Sequence, residues 1–177
     1  YQSRDPDKGP IPYDFGYIQS WDALRALQYV YNALDARKIA FDKTRIYGCG
    51  GSGGGNVIEM ANKFAPHTFA CIVDLSGMAS LTDDIAYNMP GGSLLRGRYS
   101  RDPASPAYLT RDMQEIRDIG NPAHLAAEAK AGDHCTIVMI HGDDDPFCLV
   151  SDSRRVADAM KAAGLDIETH FFAKSDI

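Results

Sequence analysis

Two stretches of the 177-residue sequence bring together residue types that do chemistry. Gly50-Gly51-Ser52-Gly53-Gly54 sets a serine inside a run of glycines. His141-Gly142-Asp143-Asp144-Asp145-Pro146 sets carboxylates directly after an apolar run. A serine hydroxyl is a weak nucleophile until a base takes its proton, and that base is commonly oriented by a carboxylate. The turn that carries such a serine must be sharp and strained, so that the hydroxyl points away from the sheet. Side chains two positions either side of it would meet the adjoining strand and helix. Gly50 and Gly54 are therefore expected to be required, and the N–H of Gly53 to stabilise a developing oxyanion.

The same string also fits a second chemistry. Gly48-Cys49-Gly50-Gly51-Ser52-Gly53 has the G-x-G-x-x-G spacing of a dinucleotide-binding turn, which predicts an acidic residue about 20 positions further on. Asp74 stands there. A Rossmann-type domain using Gly48, Gly50, Gly53 and Asp74 is thus the alternative, and the turn alone does not choose. The downstream sequence favours the serine. A carboxylate in the loop after a later strand suits a Ser–acid–His order, and a dinucleotide domain gives no reason for it. The fingerprint also normally opens the first strand of its domain, whereas here a helix comes first. Asp74 then reads as a strand-end turn residue.

These residues need elements to position them. Tyr17, Trp21, Leu24, Leu27, Tyr31 and Leu34 recur at spacings of three and four, which predicts a helix over residues 17–36 with one apolar stripe. Arg45-Ile46-Tyr47 is a short strand signal that runs into glycine. Residues 53–64 predict a second helix, with Val57, Met60, Ala61 and Phe64 on one face. Phe69 to Val73 and Cys135 to Ile140 are continuous apolar runs, as expected of strands buried on both faces. A helix over about 149–163 ends at Gly164, where a C-terminal cap belongs. Ile167 to Phe172 predicts a last strand. Residues 1–16 form an irregular lead-in, 76–108 a long functional loop or lid or a disordered stretch, and 109–130 weak helices broken by Gly120 and Pro122. Alternating strands and helices imply a doubly wound, mostly parallel α/β sheet covered on both faces. Ligands of such sheets bind beyond the carboxyl ends of the strands.

At this point the sequence resembles the α/β-hydrolase superfamily, in the style of its prolyl-oligopeptidase-like and dienelactone-hydrolase-like branches. The likeness rests on the helix from Trp21 leading into Arg45-Ile46-Tyr47, on the glycine–serine turn, and on His141-Gly142-Asp143-Asp144-Asp145, similar to that family's His-Gly-x-x-Asp loop. It implies Ser52 as nucleophile, Gly53 as one oxyanion donor and Asp145 as triad acid, with Asp143 and Asp144 as bystanders. It implies a serine hydrolase acting on an ester or an amide or peptide bond, with no metal or organic cofactor. It also implies a partial catalytic domain over residues 1–177, with 76–130 as a cap or insert. The other reading within this family is a non-catalytic scaffold that binds a ligand or partner.

The resemblance requires a histidine after the last strand. His67, His124, His134, His141 and His170 all fit that place poorly, so the base is expected beyond Ile177. The chain begins at Tyr1 with no signal-peptide pattern, and reads as the C-terminal-side portion of a larger hydrolase domain, whose remainder is its expected partner.

A formal net charge of −6 gives no support to a nucleic-acid partner. No apolar run approaches the roughly 18 residues of a membrane span. Cys49, Cys71, Cys135 and Cys148 form no CxxC pair. Three of them, Cys71, Cys135 and Cys148, lie in or beside apolar runs and are expected to be buried thiols in a reducing, cytoplasmic setting, with periplasmic or secreted placement as the alternative. Tyr87, Tyr99 and Tyr108 are candidate pocket residues or ordinary packing. Arg96, Arg98 and Arg101 are candidate anion-binding residues, with a solvated basic loop as the plainer reading.

Overall fold

The computed structural model describes residues 12–90 and 92–176. Most of the irregular lead-in, residues 1–11, lies outside the described residues.

Four strands, β1 (Tyr47–Gly51), β2 (Cys71–Leu75), β3 (Thr136–Gly142) and β4 (Ile167–Phe172), form one sheet in the order β1-β2-β3-β4. All three pairings are parallel. The helices are α1 (Tyr17–Ala36), α2 (Gly53–Phe64), α3 (Asp83–Ala86), α4 (Arg111–Glu115), α5 (Pro122–Ala131) and α6 (Val150–Ala163). α1, α6 and β4 lie where the periodicity predicts. β1 is displaced, because the strand runs through the glycines to the residue before Ser52. β2 starts and ends two residues later than the apolar run, which brings Asp74 into the strand.

The strand order explains how the layers are arranged. Each right-handed crossover to the next strand in the same direction delivers its helix to the same face. Gly48, Gly50, Ile72, Asp74, Ile137, Met139 and His141 share that face through the register. Ile72, Ile137 and Met139 pack there with Met60 and Ala61 of α2, Leu125 of α5 and Val156, Ala157 and Met160 of α6. Burying such side chains supplies about 1.5–3 kcal/mol each. Tyr17, Leu24 and Leu27 of α1 close over the edge of this core. The expected cover on both faces is not seen among the described residues, because double winding needs the strand order to reverse. Tyr47 and Leu75 on the opposite face are 63% and 40% exposed, and Phe172 43%.

Two further expectations change. Pro122 does not break a helix but opens one. Asn121 caps α5, its side chain accepting from the N–H groups of Ala123 and His124, and Pro122 takes the first helical position, where no donor is needed. All four cysteines are free, Cys135 and Cys148 buried, but Cys71 is only half-buried because its strand position faces the uncovered side. Within 76–130, Met78, Leu81, Ile85, Ala86 and Leu109 form a second small core with Phe15 and Cys148. That core holds the segment against the carboxyl end of the sheet.

Candidate active site

β1 ends at Gly51 and α2 begins at Gly53, so Ser52 occupies the single residue of the turn. Its backbone sits at φ 52°, ψ −118°, a region that costs a non-glycine residue about 1–3 kcal/mol. Neighbouring backbone holds it there. The Ser52 N–H donates to Leu75 O at 2.9 Å, and Ser52 O accepts from Asn56 N–H at 3.2 Å. The side chain is left exposed at the carboxyl end of the sheet.

The glycines around Ser52 have unequal roles. A Cβ on Gly50 would lie 2.1 Å from Gly54 O. A Cβ on Gly54 would meet nothing within 4 Å, so the expected requirement for glycine there is not borne out. The second indispensable glycine is Gly55, whose Cβ would fall 1.8 Å from Asp74 Oδ1. Periodicity gives no sign of this, since it depends on where β2 delivers Asp74.

Asp74 is 1% exposed and turned into the protein between Gly55 and Gly77. Burial pushes its carboxyl up to about 7, with the Gly77 N–H pulling the other way. A carboxyl so enclosed cannot reach a ribose hydroxyl, which removes the residue the dinucleotide reading needed. Glu59 of α2 is also buried, and burial, with Asp74 and Glu128 adding, raises it well above the usual carboxylate range.

Asp145 follows β3 in the loop before α6. Its Oδ1 accepts from the N–H groups of Phe147 at 2.8 Å and Cys148 at 3.1 Å. It thus shapes the turn at 147–148 rather than capping α6, and Oδ2 stays available apart from a 3.5 Å approach to His141 Nε2. His141 is 2% exposed. Its Nε2 donates to Cys148 O at 2.7 Å, so Nδ1 is left to accept from the Ser153 hydroxyl at 2.9 Å. Both nitrogens are used in holding the Asp145 loop. The Cys148 thiol lies in hydrogen-bonding reach of the Ser52 side chain. Burial, with Asp145 and Asp74 adding, pushes it up to about 11, which keeps it protonated.

Ser52 and Gly53 open into a cavity of about 310 Å³ walled by Phe15, Met78, Leu94 and Phe147 among others. Tyr13 lines the same cavity, and its hydroxyl lies 3.7 Å from where a Cβ on Gly53 would be. Tyr13 N–H donates to Gly97 O, Tyr13 O accepts from the Tyr99 hydroxyl, and its ring stands edge-on to Phe15. No sequence signal singles out Tyr13, because the chain segments that fix it are 84 and 86 residues away (97 − 13 and 99 − 13). None of the five histidines lines the cavity. Among the described residues, no cluster of His, Cys, Asp and Glu suits a metal ion.

The sequence pattern of the prolyl oligopeptidase family matches residues 22–176, from within α1 to just past the last strand. The chain belongs to the prolyl oligopeptidase family. No curated protein matches it significantly. Solved structures share the fold. Pyrococcus horikoshii acylaminoacyl peptidase superposes with a TM-score of 0.63 at 16% identity, over 85% of this chain and 22% of that one. A Mycobacterium tuberculosis puromycin-hydrolyzing peptidase superposes with a TM-score of 0.63 at 22% identity, over 90% of this chain and 22% of that one. A Lactococcus lactis sugar hydrolase gives 0.56 at 14% identity, over 88% of this chain and 55% of that one. The chain thus spans 22% of each of the two peptidases. The segment that matches the prolyl oligopeptidase family includes the strained serine at the end of β1 and the glycine-rich string around it.

Proposed function

We propose that this chain carries the nucleophile and the acid of a serine hydrolase that cleaves an ester or an amide or peptide bond. The observation that supports it most is the backbone of Ser52, held at φ 52° between a strand and a helix, with its side chain at a cavity. Such strain persists only where the surrounding structure over-determines it, and it clusters at active sites.

Ser52 Oγ attacks the substrate carbonyl carbon while a histidine takes its proton. Asp145 Oδ2 accepts the other N–H of that histidine, fixing its tautomer and stabilising the imidazolium. The charge that develops on the carbonyl oxygen is met by the N–H of Gly53, with the Tyr13 hydroxyl as a second donor. The histidine returns its proton to the leaving group, whose bond to the carbonyl carbon breaks. Water then attacks the acyl-serine, with the same histidine as base, and releases Ser52. The base is a histidine beyond Ile177, since none of the five within the chain lines the cavity and both ring nitrogens of His141 are engaged in holding the Asp145 loop. The uncovered face of the sheet and the open edge of β1 suit the rest of the same hydrolase domain, which is the partner in this reading. The reaction as written needs no cofactor.

The test is intact-mass spectrometry of the full-length protein after exposure to a fluorophosphonate, followed by peptide mapping. One adduct on the Ser52 peptide, absent in Ser52→Ala, is the expected result. A folded protein with no adduct would overturn the proposal and leave a non-catalytic, ligand-binding scaffold.

A further inference from the structure

Of three arginines close together in the sequence, the fold sends two to the Ser52 cavity and one elsewhere. Arg96 and Arg98 line the cavity. Arg101 lies on a separate surface groove, paired with Asp83 at 2.9 Å and stacked over the Tyr87 ring. Among the described residues, Arg96 and Arg98 are the only charged ones that line the cavity, and no carboxylate lines it. That is opposite in sign to the net charge of the whole chain, −6.

The loop that carries them is tightly fastened. Leu94 N–H donates to Pro146 O at 2.9 Å, and the Ser93 hydroxyl donates to Phe147 O. Ser93 N–H donates to Asp84 Oδ2 at 2.8 Å. Between the two arginines, Gly97 lies so close to α3 that a Cβ would fall 2.9 Å from Ile85 O. Arg98 takes a left-handed φ of 60°. Arg96 Nη1 donates to Ser93 O and Leu95 O, both at 2.9 Å. This leaves the Nε–Nη2 edge, the side of a guanidinium that matches a carboxylate in two parallel hydrogen bonds.

We propose that Arg96 and Arg98 select substrates that carry a carboxylate on the part entering this cavity, a few atoms from the bond that Ser52 cleaves. This rests on Ser52 being the nucleophile. The cavity's apolar walls hold the short chain between the two functions, and the guanidinium groups hold its charged end. A neutral substrate of the same length leaves both cations without their partner.

The test compares two p-nitrophenyl esters of similar length on the full-length protein, the neutral valerate and the anionic hemiglutarate. The expected preference in kcat/KM for the anionic ester is about 10- to 100-fold, the range for charge-assisted hydrogen bonds. The anionic-to-neutral ratio should collapse toward one in the double variant Arg96→Gln/Arg98→Gln. It should recover in part in Arg96→Lys/Arg98→Lys, and stay as in the parent in Arg101→Gln. A protein labelled at Ser52 that shows no preference, or whose preference survives in the double variant, overturns the proposal and leaves the serine reading standing. If Ser52 is not labelled and no ester turns over, the serine reading fails instead. Calorimetric titration with glutarate then decides the arginine pair by itself: binding lost in the double variant supports it, and equal or absent binding in both proteins overturns it.

Discussion

The Cβ that Gly50 lacks would sit 2.1 Å from the carbonyl oxygen of Gly54, across the turn that holds Ser52. One backbone therefore occupies the space of another residue's side chain, and the turn closes only with glycine at position 50. Gly50→Ala should cost about 1–3 kcal/mol, and Gly55→Ala a similar amount through Asp74. Gly54→Ala has open space on α2 and should be neutral or stabilise by up to about 1 kcal/mol. Thermal unfolding of the three variants in the full-length protein checks the order. Equal losses at positions 50 and 54 would contradict it.

The strain at Ser52 gives a second expectation. Ser52→Gly removes the cost of a left-handed φ as well as the hydroxyl, whereas Ser52→Ala removes only the hydroxyl. Both should abolish fluorophosphonate labelling. Ser52→Gly should melt higher than Ser52→Ala, by an amount worth about 1 kcal/mol. Equal melting temperatures would mean that the turn carries no strain.

Asp145 combines two roles that substitution can separate. Its Oδ1 holds the N–H groups of Phe147 and Cys148, which an asparagine oxygen would also hold. Asp145→Asn should keep the parent melting temperature yet lower kcat by about 10⁴-fold, through loss of the charge that orients the histidine. Asp145→Ala should lose stability as well. An Asn variant with near-parent kcat would point to Asp143 or Asp144 instead.

Removing the Tyr13 hydroxyl takes away one proposed oxyanion donor. Tyr13→Phe should lower kcat by about 10²-fold with little change in KM. The ring's contact with Phe15 and the backbone bonds of Tyr13 remain, so the fold should be unaffected. A rise in KM with kcat unchanged would mean that the hydroxyl contacts substrate and transition state equally.

The buried acids predict an inverted pH dependence of stability. Burial holds Asp74 up at about 7 and Glu128 up at about 8. Both values lie above those of the unfolded chain, so between roughly pH 4 and 8 the folded state binds more protons than the unfolded state. The stability these groups contribute is full below about pH 4 and is lost as pH rises through 7 and 8. Burial lowers Lys63 to about 8, so it acts at the alkaline edge of this window. Glu128→Gln removes one of the titrations and should flatten the decline between pH 5 and 8 by about 1–3 kcal/mol. Denaturant unfolding at several pH values checks the slope; a decline as steep as the parent's would exclude Glu128 as its source.

Much of this was legible in order and periodicity. The stripe from Tyr17 to Leu34 predicted α1 as found, and Gly164 stands at φ 86° where the C-terminal cap of α6 belongs. Ser52 was legible because an elbow is a local device: its strain, its glycine at position 50 and its place between strand and helix all lie within a few residues. The Asp145 loop is local in the same sense, since its bonds close within three residues. Sequence alone therefore determined a parallel α/β sheet, a strained serine and an acid two strands later.

Tertiary structure decided what depends on distant partners. It made Gly55 rather than Gly54 indispensable, because Asp74 comes from another strand. It gathered Tyr13, Phe15, Arg96 and Arg98 round Ser52, and it sent Arg101 away to Asp83. Among the described residues it left one sheet face open, because four strands added in a single direction bring every right-handed crossover to the same side. The residues of the elbow meet within one turn of chain, while the cavity wall is assembled from segments more than eighty residues apart, and no local pattern records which of them will meet.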